Sequence, residues 1–274
     1  MPSLLSNPLT KRLLRPALSL VEQRMERVAY ALQKDLDALH HEVADLRRQS
    51  YGLGLLLDPV GRDAHRMPTP VQVDRLVDEV RAVTGAEDER AREDVTVAYR
   101  HLVALEALGA GGIAGTMSDV CGRLAAVPLL AAGGATGAGA DGGVVEVLEV
   151  GARHGLFAAA LRRMLRRHGV EARLTLVVPP DGGAVGEEAV RDGLALGGGR
   201  PDGARLVRGR LDEPGVRESV GDRRYGVVLL DAAHDGVRAL AAPGAVVVSP
   251  DAVADPELRH LGGVADSVYY GTAG

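Results

Sequence analysis

Between residues 18 and 46 apolar side chains recur at steps of three and four: Leu18, Val21, Met25, Val28, Leu32, Leu36, Leu39, Val43 and Leu46. That spacing predicts one helix of about 30 residues with a single apolar stripe. Glu22, Arg24, Glu26, Arg27, Asp37 and Glu42 fill its other faces. The heptad slips once, between Val28 and Leu36, which loosens a regular seam. Either the stripe packs on its own domain, or it forms a short coiled coil that makes a dimer. Lys11, Arg12 and Arg15 beside Leu13 and Leu14 leave a third use, as a membrane-surface anchor. Residues 51–70, broken by Gly52, Gly54, Pro59, Gly61, Pro68 and Pro70, read as a connector. Thr69 then predicts a helix N-cap and Pro70 its first position, with Val71, Val73, Leu76, Val77, Val80 and Val83 as its apolar face and Gly85 closing it. Further helices are predicted over 87–108 and 117–130, with Val95, Val97, Leu102, Leu105 and Leu108 as core contacts of the first. Residues 131–143 have no periodicity and read as a flexible loop.

From residue 144 the rhythm changes to strand, glycine turn, helix. Strands are predicted over 144–150, 174–178, 204–209, 225–231 and 244–249, and helices over 156–168, 187–196 and 212–220. Only a short helical segment, 236–242, separates the fourth and fifth strands. Strands that barely alternate, separated by helices, describe a parallel sheet covered on both faces. The expected fold class is α/β: a doubly wound, mostly parallel, Rossmann-like sheet preceded by a helical N-terminal region. The expected domains are 1–143, helical and serving as coiled coil, lid or dimer contact, and 144–274, the sheet domain. After Asp251 only 23 residues remain. Within them 266–271 predicts one antiparallel strand.

Composition narrows the function. The chain has 274 residues, a formal net charge of -5, 46% apolar residues, one Cys, one Phe and no Trp. A lone Cys121 excludes an internal disulfide framework and a Cys-based zinc site, and is expected to be buried. Mild acidity and scarce aromatics argue against nucleic-acid binding. No run reaches the length of a membrane span, and no apolar leader follows the N-terminal basic residues. A cytoplasmic protein is expected. The Arg162, Arg163, Arg166 and Arg167 cluster reads as a solvated helix face.

In an open α/β sheet, ligands bind beyond the carboxyl ends of the strands. After the first strand the sequence runs Glu149-Val150-Gly151-Ala152-Arg153-His154-Gly155 and then enters a helix. This is neither G-x-G-x-x-G nor a P-loop. It resembles the first motif of class I S-adenosylmethionine (SAM) dependent methyltransferases, in the form E-V-G-x-x-x-G. The fourth strand ends in Leu230-Asp231-Ala232-Ala233-His234-Asp235, similar to the D-G-D-H segment of the metal-dependent, macrocin-type sugar O-methyltransferase branch. Ala241-Ala242-Pro243-Gly244 before the fifth strand, and Ser249-Pro250-Asp251 after it, resemble that branch's L-x-P-G-G and acidic pair. The resemblance covers about 144–251, under half the chain. It implies a SAM-dependent O-methyltransferase acting on a hydroxyl of a small molecule or sugar. It places Glu149, Gly151, Ala152, Arg153, Gly155 and Asp231 at the cofactor. It makes Asp231 and Asp251 ligands of Mg2+, and His234, with Asp231, the catalytic base.

The chain departs from that family pattern at several points. Val178 or Pro179 stands where the family has a ribose-binding acid, with Asp181 two or three residues late. Ala233 and Pro250 replace acids of the branch. These departures motivate an alternative: a catalytically inactive, methyltransferase-like scaffold that assembles through the N-terminal helix. A nicotinamide-binding Rossmann domain is a third reading, which lacks G-x-G-x-x-G.

Overall fold

The computed structural model describes residues 69–108, 113, 115–133, 144–180, 187–196 and 203–273, with positions 24, 25, 28, 30, 32–34, 36 and 39. Packing divides the chain into two compact units, 1–58 and 59–274. In the first, the described positions are helical, and Met25, Val28, Leu32, Leu36 and Leu39 are exposed. The rest of the stripe, the basic residues 11, 12 and 15, the connector 51–68, the loop 134–143 and Asp181 lie outside the described residues.

The second unit begins with three helices: α1 (Pro70–Thr84), α2 (Asp88–Leu108) and α3 (Met117–Ala132). α1 starts as its sequence predicts. The Thr69 side chain accepts from the Gln72 N–H, the Gln72 side chain accepts from the Thr69 N–H, and Gly85 closes the helix in the left-handed region at φ 68°. Leu76, Val77, Val80 and Val83 are buried on one face. In α2, Val95 and Leu102 are buried, while the side chains at 105 and 108 lie outside the described residues. Cys121 is buried in α3.

The sheet follows: β1 (Val145–Val150), α4 (Leu156–Arg167), β2 (Ala172–Val178), α5 (Glu187–Leu196), β3 (Ala204–Arg208), α6 (Pro214–Val220), β4 (Tyr225–Leu229), a 3-10 turn (Val237–Ala239), β5 (Ala241–Ser249), β6 (Leu258–Val264) and β7 (Ser267–Thr272). Its seven strands lie in the order β3-β2-β1-β4-β5-β7-β6. The first five are parallel, and β7 runs antiparallel to both β5 and β6. The sequence allows one strand after Asp251, and the structure has two. β6 escapes detection because it is an edge strand with exposed Arg259 and His260, a register shift and two glycines, Gly262 and Gly263.

Alternate strand residues serve two cores. Val147, Leu176, Leu229, Val248 and Tyr269 pack with the helical layer of α1 to α5. Leu148, Val177, Val228, Val247 and Tyr270 pack with Val216 and Val220 of α6 and with Val237 and Leu240. The first core runs without a break from Leu76 of α1 to Tyr269 of β7, on both sides of residue 143. The helices before the sheet therefore belong to its packing. The turn between β6 and β7 is fastened to them. Ala265 adopts φ 49°, and its N–H donates to Glu79 Oε2 of α1 at 2.8 Å. Thr116, the N-cap of α3, donates its hydroxyl to Asp266 Oδ2 at 2.9 Å. No helix among the described residues is long and apolar enough to cross a membrane.

Candidate functional site

A cleft of about 320 Å³ opens beyond the carboxyl ends of β1 and β4, at the point where strand order reverses. The turn after β1 shapes its floor. Gly151 sits at φ 80°, and a Cβ there would lie 2.6 Å from the Asp231 Cβ and 2.7 Å from its Oδ2. Gly155 caps α4 at φ 69°, where a Cβ would lie 2.7 Å from the Val190 carbonyl oxygen. Only glycine satisfies both the backbone angle and the approach at these two positions. The Gly151 and Ala152 N–H groups both donate to the Val177 carbonyl at 3.1 Å, pinning the turn to β2. No side chain caps α4, so its first turn faces the cleft through Gly155, Leu156 and Phe157.

The electrostatics concentrate at the inner end. Glu149 stands half-buried one residue before the end of β1, and its Oε2 is sealed from solvent without a hydrogen-bond partner. Burial pushes its carboxyl up to about 7, against the opposing pull of Arg123. Arg123 comes from α3. It pairs with Asp119 Oδ2 at 2.7 Å, stacks 4.8 Å from the Phe157 ring centroid, and leaves Nε buried without a partner. The Ser267 hydroxyl of β7 donates to the other Asp119 oxygen at 2.6 Å. The buried Tyr269 hydroxyl is also without a hydrogen-bond partner; burial raises it and Arg123 lowers it.

Glu149, Gly151, Arg153, Gly155 and Asp231 all line the cleft. Ala152 is buried in the core of the helical layer and is not part of the lining. Asp231 is exposed on the cleft, and its Oδ1 lies 3.1 Å from His234 Nε2. His234 stands behind Asp231, outside the lining. Asp251 is exposed, donates its N–H to the Ser249 hydroxyl oxygen, and leaves the lining to its neighbour Pro250. Pro179 lines the cleft at the end of β2, where the family pattern has an acid. Among the described residues no three His, Cys, Asp or Glu side chains come together to hold a metal ion. Asp231 and Asp251 do not fit the Mg2+ site expected of them, since Mg2+ needs several oxygen ligands in near-octahedral array.

Asp119, Arg123, Phe157 and Ser267 line the same cleft, and the sequence reading passes over them. One signal points to the first two. Asp119 and Arg123 are the two charged residues of a 16-residue helix that is apolar but for Ser118, and they stand four apart on one face.

No family model matches the chain, and no curated protein matches it. Among solved structures, the chain is similar to the SAH-bound methyltransferase PaMTH1 of Podospora anserina, at 14% identity and a TM-score of 0.39. That match covers 78% of this chain and 100% of the other. So loose a likeness carries no weight for function.

Proposed function

We propose that the cleft binds S-adenosyl-L-methionine and that the chain is a SAM-dependent methyltransferase, acting on a hydroxyl of a small molecule or sugar. The observation that supports this reading best is the Glu149-to-Gly155 turn. It carries the E-V-G-x-x-x-G pattern, bends at two left-handed glycines and opens at the switch point of the sheet. The volume is that of a small-molecule site. The partly buried Glu149 and the free first turn of α4 supply polar groups to it.

When bound, the cofactor supplies a sulfonium methyl group, which passes to an acceptor oxygen while the C–S electron pair stays on sulfur. The chain's own work is to hold and deprotonate the acceptor. Asp231 faces the cleft and accepts the hydrogen bond of the acceptor hydroxyl. The hydroxyl proton passes to the Asp231 carboxylate as the acceptor oxygen takes the methyl group, and His234, with Nε2 3.1 Å from Asp231 Oδ1, orients that carboxylate. The turn excludes water from one side of the reacting pair and fixes its geometry. The exposed stripe Met25, Val28, Leu32, Leu36 and Leu39 supports a coiled-coil contact between copies as a separate part of the same proposal.

Incubation with methyl-labelled SAM and a set of hydroxylated sugars and small molecules tests the activity. Label is expected in an acceptor with the wild type, falling by roughly 10²- to 10⁴-fold in Asp231→Asn. SAM binding without any transfer across the set would favour the non-catalytic scaffold instead.

A further inference from the structure

We infer that a second, apolar cavity, enclosed by α1, α2 and α3 and separate from the cleft, is a binding site for a small neutral ligand the size of a substituted benzene ring. The inference goes beyond the proposed function and does not depend on it.

The cavity measures about 140 Å³. Its floor is Leu76 of α1, Val95 of α2 and Cys121 of α3, all buried. Val73 and Met117 are partly exposed and form its walls, and the exposed Gln72 marks its mouth. Three helices that meet at one point leave such a space when the side chains between them are short. Valine, serine and cysteine stand here, where leucine or phenylalanine would close the gap. Folded interiors have few voids larger than a water molecule. An apolar space of about 150 Å³ stays dry and takes a benzene-sized guest.

The lining sets the chemistry of that guest. Among the described residues no charged side chain lines the cavity, so a carboxylate or ammonium would lose its hydration with nothing to pair it. The polar groups at the rim are already engaged. Gln72 Oε1 accepts from the Thr69 N–H at 2.8 Å, and the Thr96 hydroxyl donates to the Arg92 carbonyl at 2.8 Å. What remains is apolar contact from Leu76, Val73 and Val95, and from Met117, whose thioether chain adapts to a flat ring. A sugar or nucleobase, with several polar atoms to satisfy, does not suit these walls. α3 separates the two sites. Met117, Ser118 and Cys121 face the cavity, while Asp119 and Arg123 line the cleft. At 3.6 residues per turn the two sets lie on opposite sides of the helix, so a guest in one site leaves the other open.

Toluene, with benzoate and benzylamine as charged probes of like size, tests the site on the full chain. Calorimetry is expected to show one toluene site with a Kd on the order of 1 mM or tighter, and binding of either charged probe at least about tenfold weaker. Cys121 is the sole cysteine, so labelling by methyl methanethiosulfonate reads this cavity. Toluene at about five times its Kd should slow that labelling roughly sixfold. Val73→Phe, which puts a ring of the chain's own into the space, is expected to abolish toluene binding in a variant that still unfolds cooperatively. Absence of toluene binding to the wild type overturns the inference. So does binding that leaves the Cys121 rate unchanged, or that survives in Val73→Phe. Charged probes that bind as tightly as toluene overturn the ligand class. If Val73→Phe does not fold, or the thiol does not react, the calorimetric comparison of the three probes decides alone.

Discussion

Glu149 is an acid that water only partly reaches, and that placement ties the stability of the protein to pH. Its carboxyl ordinarily titrates near 4.5, and in the fold it is pushed up to about 7. The folded chain therefore holds a proton that the unfolded chain has already released between those values. The stabilisation is present in full below about 4.5, falls as pH rises and is gone above about 7. Glu149→Gln, which cannot ionise, should melt like the wild type at pH 4 and above it at pH 8, by on the order of 1–3 kcal/mol. Thermal unfolding at the two values measures this, and equal melting at pH 8 would contradict the assigned burial. Glu149, Gly151, Gly155 and Asp231 were legible in the sequence because each stands at the end of a strand, within a few residues of a recognisable turn. Arg123, Asp119 and Ser267 were not. They reach the cleft from α3 and from β7, more than a hundred residues apart in the chain, and only tertiary packing joins them.

Among the elements, the β6–β7 hairpin most changes what the sequence suggests. The helices and the five parallel strands follow from their apolar runs, their caps and their glycine turns, with boundaries shifted by a few residues. The hairpin is hidden because β6 is half-exposed and rich in glycine. It does more than finish the sheet. Its turn takes hydrogen bonds to Glu79 and Thr116, and Ser267 at its second strand holds Asp119. The polar end of α3 is thereby set in the cleft lining. Ser267→Ala leaves a buried carboxylate oxygen short of its donor, and should lower stability by about 1–3 kcal/mol. It should also weaken S-adenosylhomocysteine binding, since Arg123 loses its anchor. A denaturant melt and a titration on the same sample check both effects, and unchanged affinity would show that Asp119 holds Arg123 without help.

At the scale of the molecule, the sheet is dressed unequally. Helices α1 to α5 form one layer, and α6 with the 3-10 turn forms the other. The heavier layer brings its own charged pair to the carboxyl edge of the strands. The cleft is thus built from both the helices that precede the sheet and the strands that close it, in one continuous core. Asp251 stands outside the cleft lining, and among the described residues no cluster of three His, Cys, Asp or Glu forms around Asp231, so this pair does not fit the metal site of the expected branch. What remains central is the turn at Glu149 to Gly155 as a cofactor site. Isothermal titration of the full chain with S-adenosylhomocysteine, in the absence of added metal, tests it most directly. One-site binding at micromolar affinity is expected, lost in Gly151→Ala, where the new Cβ collides with Asp231. Folded protein that gives no heat with millimolar ligand would contradict the account.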